Sequence, residues 1–246
     1  VTDGLTVAGN VSVDGGTIKL DGNYPVGTDN VALGNTALDS VQSGGNYNVA
    51  VGANAGTAIT TGDSNVAIGD VALTANTTAS NNVVVGSVAM NVNTTGGNNV
   101  AVGMQSLRNN TTASNNVAVG FNALTANTTA GYNVAFGANT LAGNTTGIGS
   151  TAVGFQAGYS HTTNGYMTAI GYKAGYSGNS DNAFVGYEVG YQSTGGSNTA
   201  MGSYRALFSN TTGTSNTAIG REALYSNTTA SNNTAVGYQA AYSNTT

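Results

Sequence analysis

The 246-residue chain contains no cysteine and no tryptophan, a single proline (Pro25), a single histidine (His161) and only 6% charged residues. Without cysteine there is no disulfide framework and no thiolate chemistry. Charged residues make up about a quarter of an ordinary globular chain, so the surface here must be built from something else. The five basic residues, Lys19, Arg108, Lys173, Arg205 and Arg221, are spread along the length and the formal net charge is −5. That is not the clustered basic footprint of a nucleic-acid binder. No apolar run approaches the roughly 18 residues of a membrane helix, and the residues from Val1 onward do not read as a signal peptide.

Catalytic and cofactor patterns are equally sparse. The ten carboxylates form no repeating pair, whereas polysaccharide hydrolysis calls for two acids at a set separation. Asp70 and Glu222 read as solvated turn residues. His161 lies in Ser160-His161-Thr162-Thr163. It reads as a variant of a recurring Asn-Thr-Thr loop, since a metal site would need further ligands. The Gly-Gly-x-Gly-x-Asp loops of calcium-binding rolls are missing, and no helix is predicted to follow a phosphate-binding glycine loop. No enzyme activity, metal or cofactor is expected.

What fills the chain is Asn, Thr, Gly and Ala in a strict period, with 39% apolar residues, unlike a disordered sequence. Short apolar stretches such as Asn48-Val49-Ala50-Val51 end on a recurring glycine. These glycines are Gly34, Gly52, Gly69, Gly86, Gly103, Gly120, Gly137, Gly154, Gly171, Gly186, Gly202, Gly220 and Gly237, and eight of the twelve intervals are 17 residues. Such a period, rich in β-formers, predicts an all-β solenoid of about 13 stacked coils. At about 4.8 Å per coil the rod is on the order of 60 Å long. Residues 1–29 lack the repeat and read as a β lead-in or cap; residues 30–246 form the array, a segment of a longer fibre.

In the coil Asn65–Asn81, Val66-Ala67-Ile68 reads as one strand, Gly69-Asp70 as a turn, Val71-Ala72-Leu73 as a second strand and residues 74–81 as a return loop. The residue before each repeat glycine is large and apolar (Leu33, Val51, Ile68, Phe136, Met201) and is assigned to the interior. The residue before that is Ala in eleven copies, with Val84 and Phe184 as exceptions. Alternation sends this column to the opposite face. Ala50, Ala67, Ala101, Ala118, Ala135, Ala152, Ala218 and Ala235 are therefore the candidate subunit-packing face. Each coil buries few side chains, and lateral association would supply more burial.

Further along, Gly158-Tyr159, Gly175-Tyr176 and Gly190-Tyr191 replace the usual Ala-Leu pattern, as if large residue and glycine had exchanged places. Ten of thirteen tyrosines follow residue 150. Tyr159, Tyr176, Tyr191, Tyr225 and Tyr242 should stack as one column and form the candidate recognition surface, since tyrosine suits sugar or protein contact. Phe121, Phe155, Tyr172, Tyr187 and Tyr238 form a sparser second column. The spacing shortens between Gly171 and Gly202, which marks the place for a local irregularity. The eight Asn-Thr-Thr triplets match the glycosylation sequon but read as turn residues and stacked amides.

The strand motif Asn-Val-Ala-Val-Gly or Asn-Thr-Ala-Ile-Gly, followed by x-x-Ala-Leu, resembles the YadA-like head repeat of trimeric autotransporter adhesins. The Asn-Thr-Thr loops (Asn76-Thr77-Thr78, Asn227-Thr228-Thr229) and the lead-in Leu5-Thr6-Val7-Ala8-Gly9 resemble bacteriophage tail-fibre proteins. The resemblance spans residues 30–246 and implies a left-handed parallel β-roll assembled as a homotrimer. It further implies a non-enzymatic shaft on the virion surface. Its partners would be other fibre proteins and a host cell-surface receptor, with glycans among the candidates. The alternatives are a bacterial cell-surface adhesin head and, at greater distance, an ice-binding solenoid.

Overall fold

In the computed structural model the described residues are 27–178 and 181–245. The lead-in lies outside them, apart from its last residues: Thr28 already donates its amide to the Asn46 side chain at 2.9 Å. Thirteen strands, from β1 (Val31–Leu33) to β13 (Thr234–Val236), pair in strict chain order into one 13-stranded parallel sheet. Equivalent positions pair directly, as in Val100↔Val117, Ala101↔Ala118 and Val102↔Val119. The fold is therefore a parallel β-solenoid with one coil per repeat.

Each coil has one strand, not two. The segment after the repeat glycine is a series of tight turns, because Val71 and Leu73 stand at φ 58° and 52° and an extended strand cannot contain such residues. The same left-handed conformation recurs two and four residues after the repeat glycine, at Asn122 and Leu124 (55° and 51°) and at Glu222 and Leu224 (56° and 50°). These alternating conformations fold the chain back over its own strand at very short range.

That close return decides which strand face is inside, and it reverses the sequence expectation. Ala50, Ala101, Ala118, Ala135, Ala152 and Ala218 are 0% exposed, Ala67 is 1% and Ala235 5%. They are the interior of the coil and cannot be a face offered to another subunit. The large column points outward: Leu33 is 48% exposed, Phe136 55% and Met201 50%. The space between the strand and the returning turn is narrow and is filled by an alanine methyl in eleven coils and by Val84 and Phe184 in the other two; Ala72 and Leu73 or Ala123 and Leu124 complete the core.

Between coils the polypeptide is held by backbone and amide ladders. Gly120 donates to Val102 and Leu124 to Ala123's counterpart one coil on, the Thr140 carbonyl. The asparagines preceding the strands are buried and form a chain: Asn65 Nδ2 and its backbone N–H both donate to Asn48 Oδ1, at 3.1 and 2.9 Å. A second chain runs through the loops, with Asn110 Nδ2 donating to Asn93 Oδ1 and Asn127 Nδ2 to Asn110 Oδ1. A buried amide without partners costs about 1–3 kcal/mol, and stacking identical amides removes that cost coil by coil. Asn76, Asn110 and Asn227, which open three Asn-Thr-Thr triplets, are 0% exposed. Glycosylation of these side chains in the folded rod is thereby blocked.

The repeat glycine is required by close approach. A methyl group at Gly103 would lie 2.6 Å from the Gly120 carbonyl oxygen, and φ is 123°, outside the range of an L side chain. Where glycine replaces leucine four residues further on, the missing volume is supplied from inside. A methyl on Gly190 would lie 2.6–2.7 Å from three ring atoms of Phe184, and one on Gly175 2.9 Å from the same ring. Met167 plays this part at Gly158. Phe184 is the larger of two buried exceptions in the Ala column, the other being Val84, so the exchange is between Phe184 or Met167 and Leu; the following tyrosines stay half-exposed at the surface. Irregular spacing appears where expected: β10 (Ala183–Tyr187) and β11 (Thr199–Tyr204) are longer, with a register shift between Val185 and Tyr187.

Candidate functional site

Three surface features stand out along the rod. The first is the outer face of the sheet, where two columns side by side are apolar over most of the length. One holds Val66, Val83, Val100, Val117 and Val134, the other Ile68, Val85, Val102, Val119 and Phe136. Ile68, Val83, Phe136, Ile170 and Ile219 are exposed, and their neighbours are half-exposed. The second column runs the full twelve strand spacings, about 58 Å, while in the first, about 7 Å away, valine gives way to Thr151, Thr168, Ala183, Thr199, Thr217 and Thr234 in the later coils; the apolar strip still covers several hundred Å². Monomeric soluble proteins rarely expose so large a continuous apolar patch.

The second feature is a pair of aromatic ladders in the later coils. Five residues after the repeat glycine, Tyr159, Tyr176 and Tyr191 stack at 5.1 and 4.9 Å, and Phe208 continues the stack to Tyr225 and Tyr242. Phe208 was missed in the sequence because an extra residue, Ser203, shifts its count from the glycine. The second ladder runs Phe155, Tyr172, Tyr187, Tyr204, at 5.1–5.5 Å. Phe121 stands apart from it with Ala138 between, and Tyr238 is joined to Tyr204 through the Arg221 guanidinium, 5.9 Å from the Tyr238 centroid and 5.5 Å from that of Tyr204.

Between the ladders, two residues after the glycine, or three where Ser203 is inserted, the charges alternate: Lys173, Glu188, Arg205, Glu222. Arg205 Nε donates to Glu188 Oε2 at 2.7 Å, and its guanidinium lies 4.8 Å from the Tyr204 centroid and 4.7 Å from that of Phe208. Opposite charges one coil apart attract where like charges would repel, and Lys173 Nζ also lies 5.4 Å from the Tyr172 centroid. The charges look scattered by residue type, and their column is legible in the sequence only by position relative to the repeat glycine, with the extra Ser203 allowed for. Because the rings stack face to face, the candidate recognition column presents ring edges and hydroxyls, and its inner faces are occupied by neighbouring rings.

The third feature lies where the first ladder begins. The position occupied by Tyr159 holds Ala142 one coil earlier and Thr125 two coils earlier. This step from tyrosine to alanine leaves a cleft of about 360 Å³, floored by Ala142 and Gly143 and walled by Tyr159. Asn122, Asn139, Ser160 and Thr162 supply its polar rim. Asn122 Oδ1 is shielded from solvent without a hydrogen-bond partner in the chain, while its Nδ2 reaches Asn139 Oδ1 only at 3.4 Å.

His161 is fully buried in the loop amide ladder, one coil after Asn144, as its reading as an Asn-Thr-Thr variant predicts. Its ring lies 3.4 Å from Ser150 Oγ and 3.3 Å from the Gly178 carbonyl. Burial pushes its pKa below the ordinary histidine value, outweighing the backbone contacts that oppose the shift. Among the described residues no three His, Asp or Glu side chains are grouped to hold a metal, and no helix is long and apolar enough to cross a membrane. The loop threonines are engaged with the next coil, as when Thr111 Oγ1 donates to the Thr128 carbonyl at 3.1 Å.

Comparison with known protein families, curated sequences and solved structures gave no match, so the functional reading rests on the coil itself.

Proposed function

We propose that this chain is a structural rod that associates with two further copies of itself through the outer face of its sheet, serving as a shaft in host attachment of the phage tail-fibre type. The observation that carries the proposal is the apolar strip. Its column before the repeat glycine is apolar in every coil and parallel to the rod axis, so copies aligned around a common axis would use every coil at once. At about 25 cal/mol per Å² of apolar surface removed from water, burying several hundred Å² on each copy contributes on the order of 10 kcal/mol before the cost of association. A trimer, which the family resemblance implies, encloses three such strips around one axis. The Val, Ile and Phe column replaces the Ala column as the subunit contact.

Sedimentation equilibrium of the purified rod tests this reading. A mass three times that of the 24.3 kDa chain is expected at micromolar concentration. A strictly monomeric mass would remove its basis. Binding of fluorescently labelled rods to candidate host cells tests the attachment role separately.

A further inference from the structure

The geometry points to the cleft in front of Tyr159 as a binding site for a neutral pyranose sugar. It gives the attachment role a ligand and rests on that role for its biological meaning, although the binding chemistry stands on its own.

Tyr159 is the first ring of a six-membered stack. One face is covered by Tyr176, 5.1 Å away and nearly parallel, while the other looks over Ala142, where the ladder has no ring. Inside the ladder every ring face is shared between neighbours, so this leading face is a surface that stacked interior rings such as Tyr191 and Tyr225 do not have. An aromatic face binds the apolar C–H face of a pyranose, while the sugar's hydroxyls seek donors and acceptors around its edge. The rim provides these as neutral groups: the amides of Asn122 and Asn139 and the hydroxyls of Ser160 and Thr162.

The charge pattern selects among sugars. No lining residue is ionisable at neutral pH, so nothing in the cleft compensates a carboxylate, sulfate or phosphate substituent, and a charged saccharide would lose solvation without gaining an ion pair. The volume of about 360 Å³ falls at the small end of ligand sites, suiting one or two rings of a chain that continues into solvent. The lining side chains belong to the turns and return loops, not the strands, leaving the sheet face free for association.

Saturation-transfer NMR on the intact rod, with methyl glucoside, galactoside and mannoside and their neutral disaccharides as probes, tests the assignment. At least one should receive saturation, strongest at the C–H protons of one ring face, and sialyllactose should receive none. Ala142→Tyr extends the existing ladder by one ring, filling the cleft with a residue the neighbouring coils accept; it should weaken binding about tenfold or more with the far-ultraviolet spectrum unchanged. Asn122→Ala should weaken the same probe, and Tyr225→Ala should not. No signal with any neutral probe, or binding unaffected by Ala142→Tyr, would overturn the assignment, as would selection of a planar aromatic compound over all sugars. Cell binding separates the two proposals. Rods that bind cells equally with and without Ala142→Tyr leave attachment standing and remove the cleft, whereas sugar binding without cell binding does the reverse.

Discussion

Replacing Phe184 with alanine should open the most consequential cavity in this rod. The ring is fully buried and lies over Gly175 and Gly190, two positions that hold leucine in most other coils. Phe→Ala substitutions in cores cost about 3–5 kcal/mol, and the upper part of that range applies because the neighbouring glycines have no side chains to relax into the space. Restoring the common pattern tests the cause. Leucine occupies the position equivalent to Gly190 at Leu207 and Leu224, with φ 52° and 50°, so Phe184→Ala/Gly190→Leu should recover about 2 kcal/mol. Gly190→Leu alone overfills the site and should cost about 1–3 kcal/mol. Repeat arrays need not unfold in a single step, so native-state hydrogen exchange at fixed protomer concentration is the appropriate assay. The Gly190 and Gly175 amides, bonded to the Ala206 and Val189 carbonyls in the adjoining coils, should lose protection; the Val117 amide, bonded to Asn133, should not. Equal loss at Val117 and Gly190, a change below about 1 kcal/mol, or a double variant no better than Phe184→Ala would refute the volume-exchange argument.

Neighbouring strand positions should separate folding from association: Val119→Lys is expected to yield folded monomers by sedimentation and circular dichroism, whereas Ala118→Lys, at 0% exposure, should unfold its coil. A folded Ala118→Lys protein would contradict the interior assignment. His161 has a depressed folded pKa, so its neutral form is favoured in the native state and its contribution is constant above pH 6.5. Stability should fall as pH drops from 6.5 toward the folded value, by at most about 1.4 kcal/mol per pH unit, and His161→Asn should remove that part of the slope in urea titrations. Gly103→Ala should cost more than the roughly 1 kcal/mol typical of a point change, because its methyl meets the Gly120 backbone; a Tm within 1–2 °C of the parent, on the order of a few tenths of a kcal/mol, would refute the contact.

The period of the glycines was legible from residue order alone, and with it the coil count, the strand that precedes each glycine and the stacking of Tyr159, Tyr176 and Tyr191; the second strand expected after the glycine is instead a run of turns. Identical residues at equal spacing must align when each coil pairs in register with the next, and the Asn and Tyr columns follow. Alternation along Val117-Ala118-Val119 likewise defines two faces. It cannot say which is inside. That was decided by left-handed residues at Asn122 and Leu124, which bring the returning chain over the strand, bury Ala118 beneath it and send Val119 outward. The cleft has the same origin: Ala142 and Tyr159 are unremarkable 17 positions apart, and only stacking one directly after the other exposes the ring face. Sequence determined the period and the columns; the tight three-dimensional return of each coil decided which columns became core and which became surface.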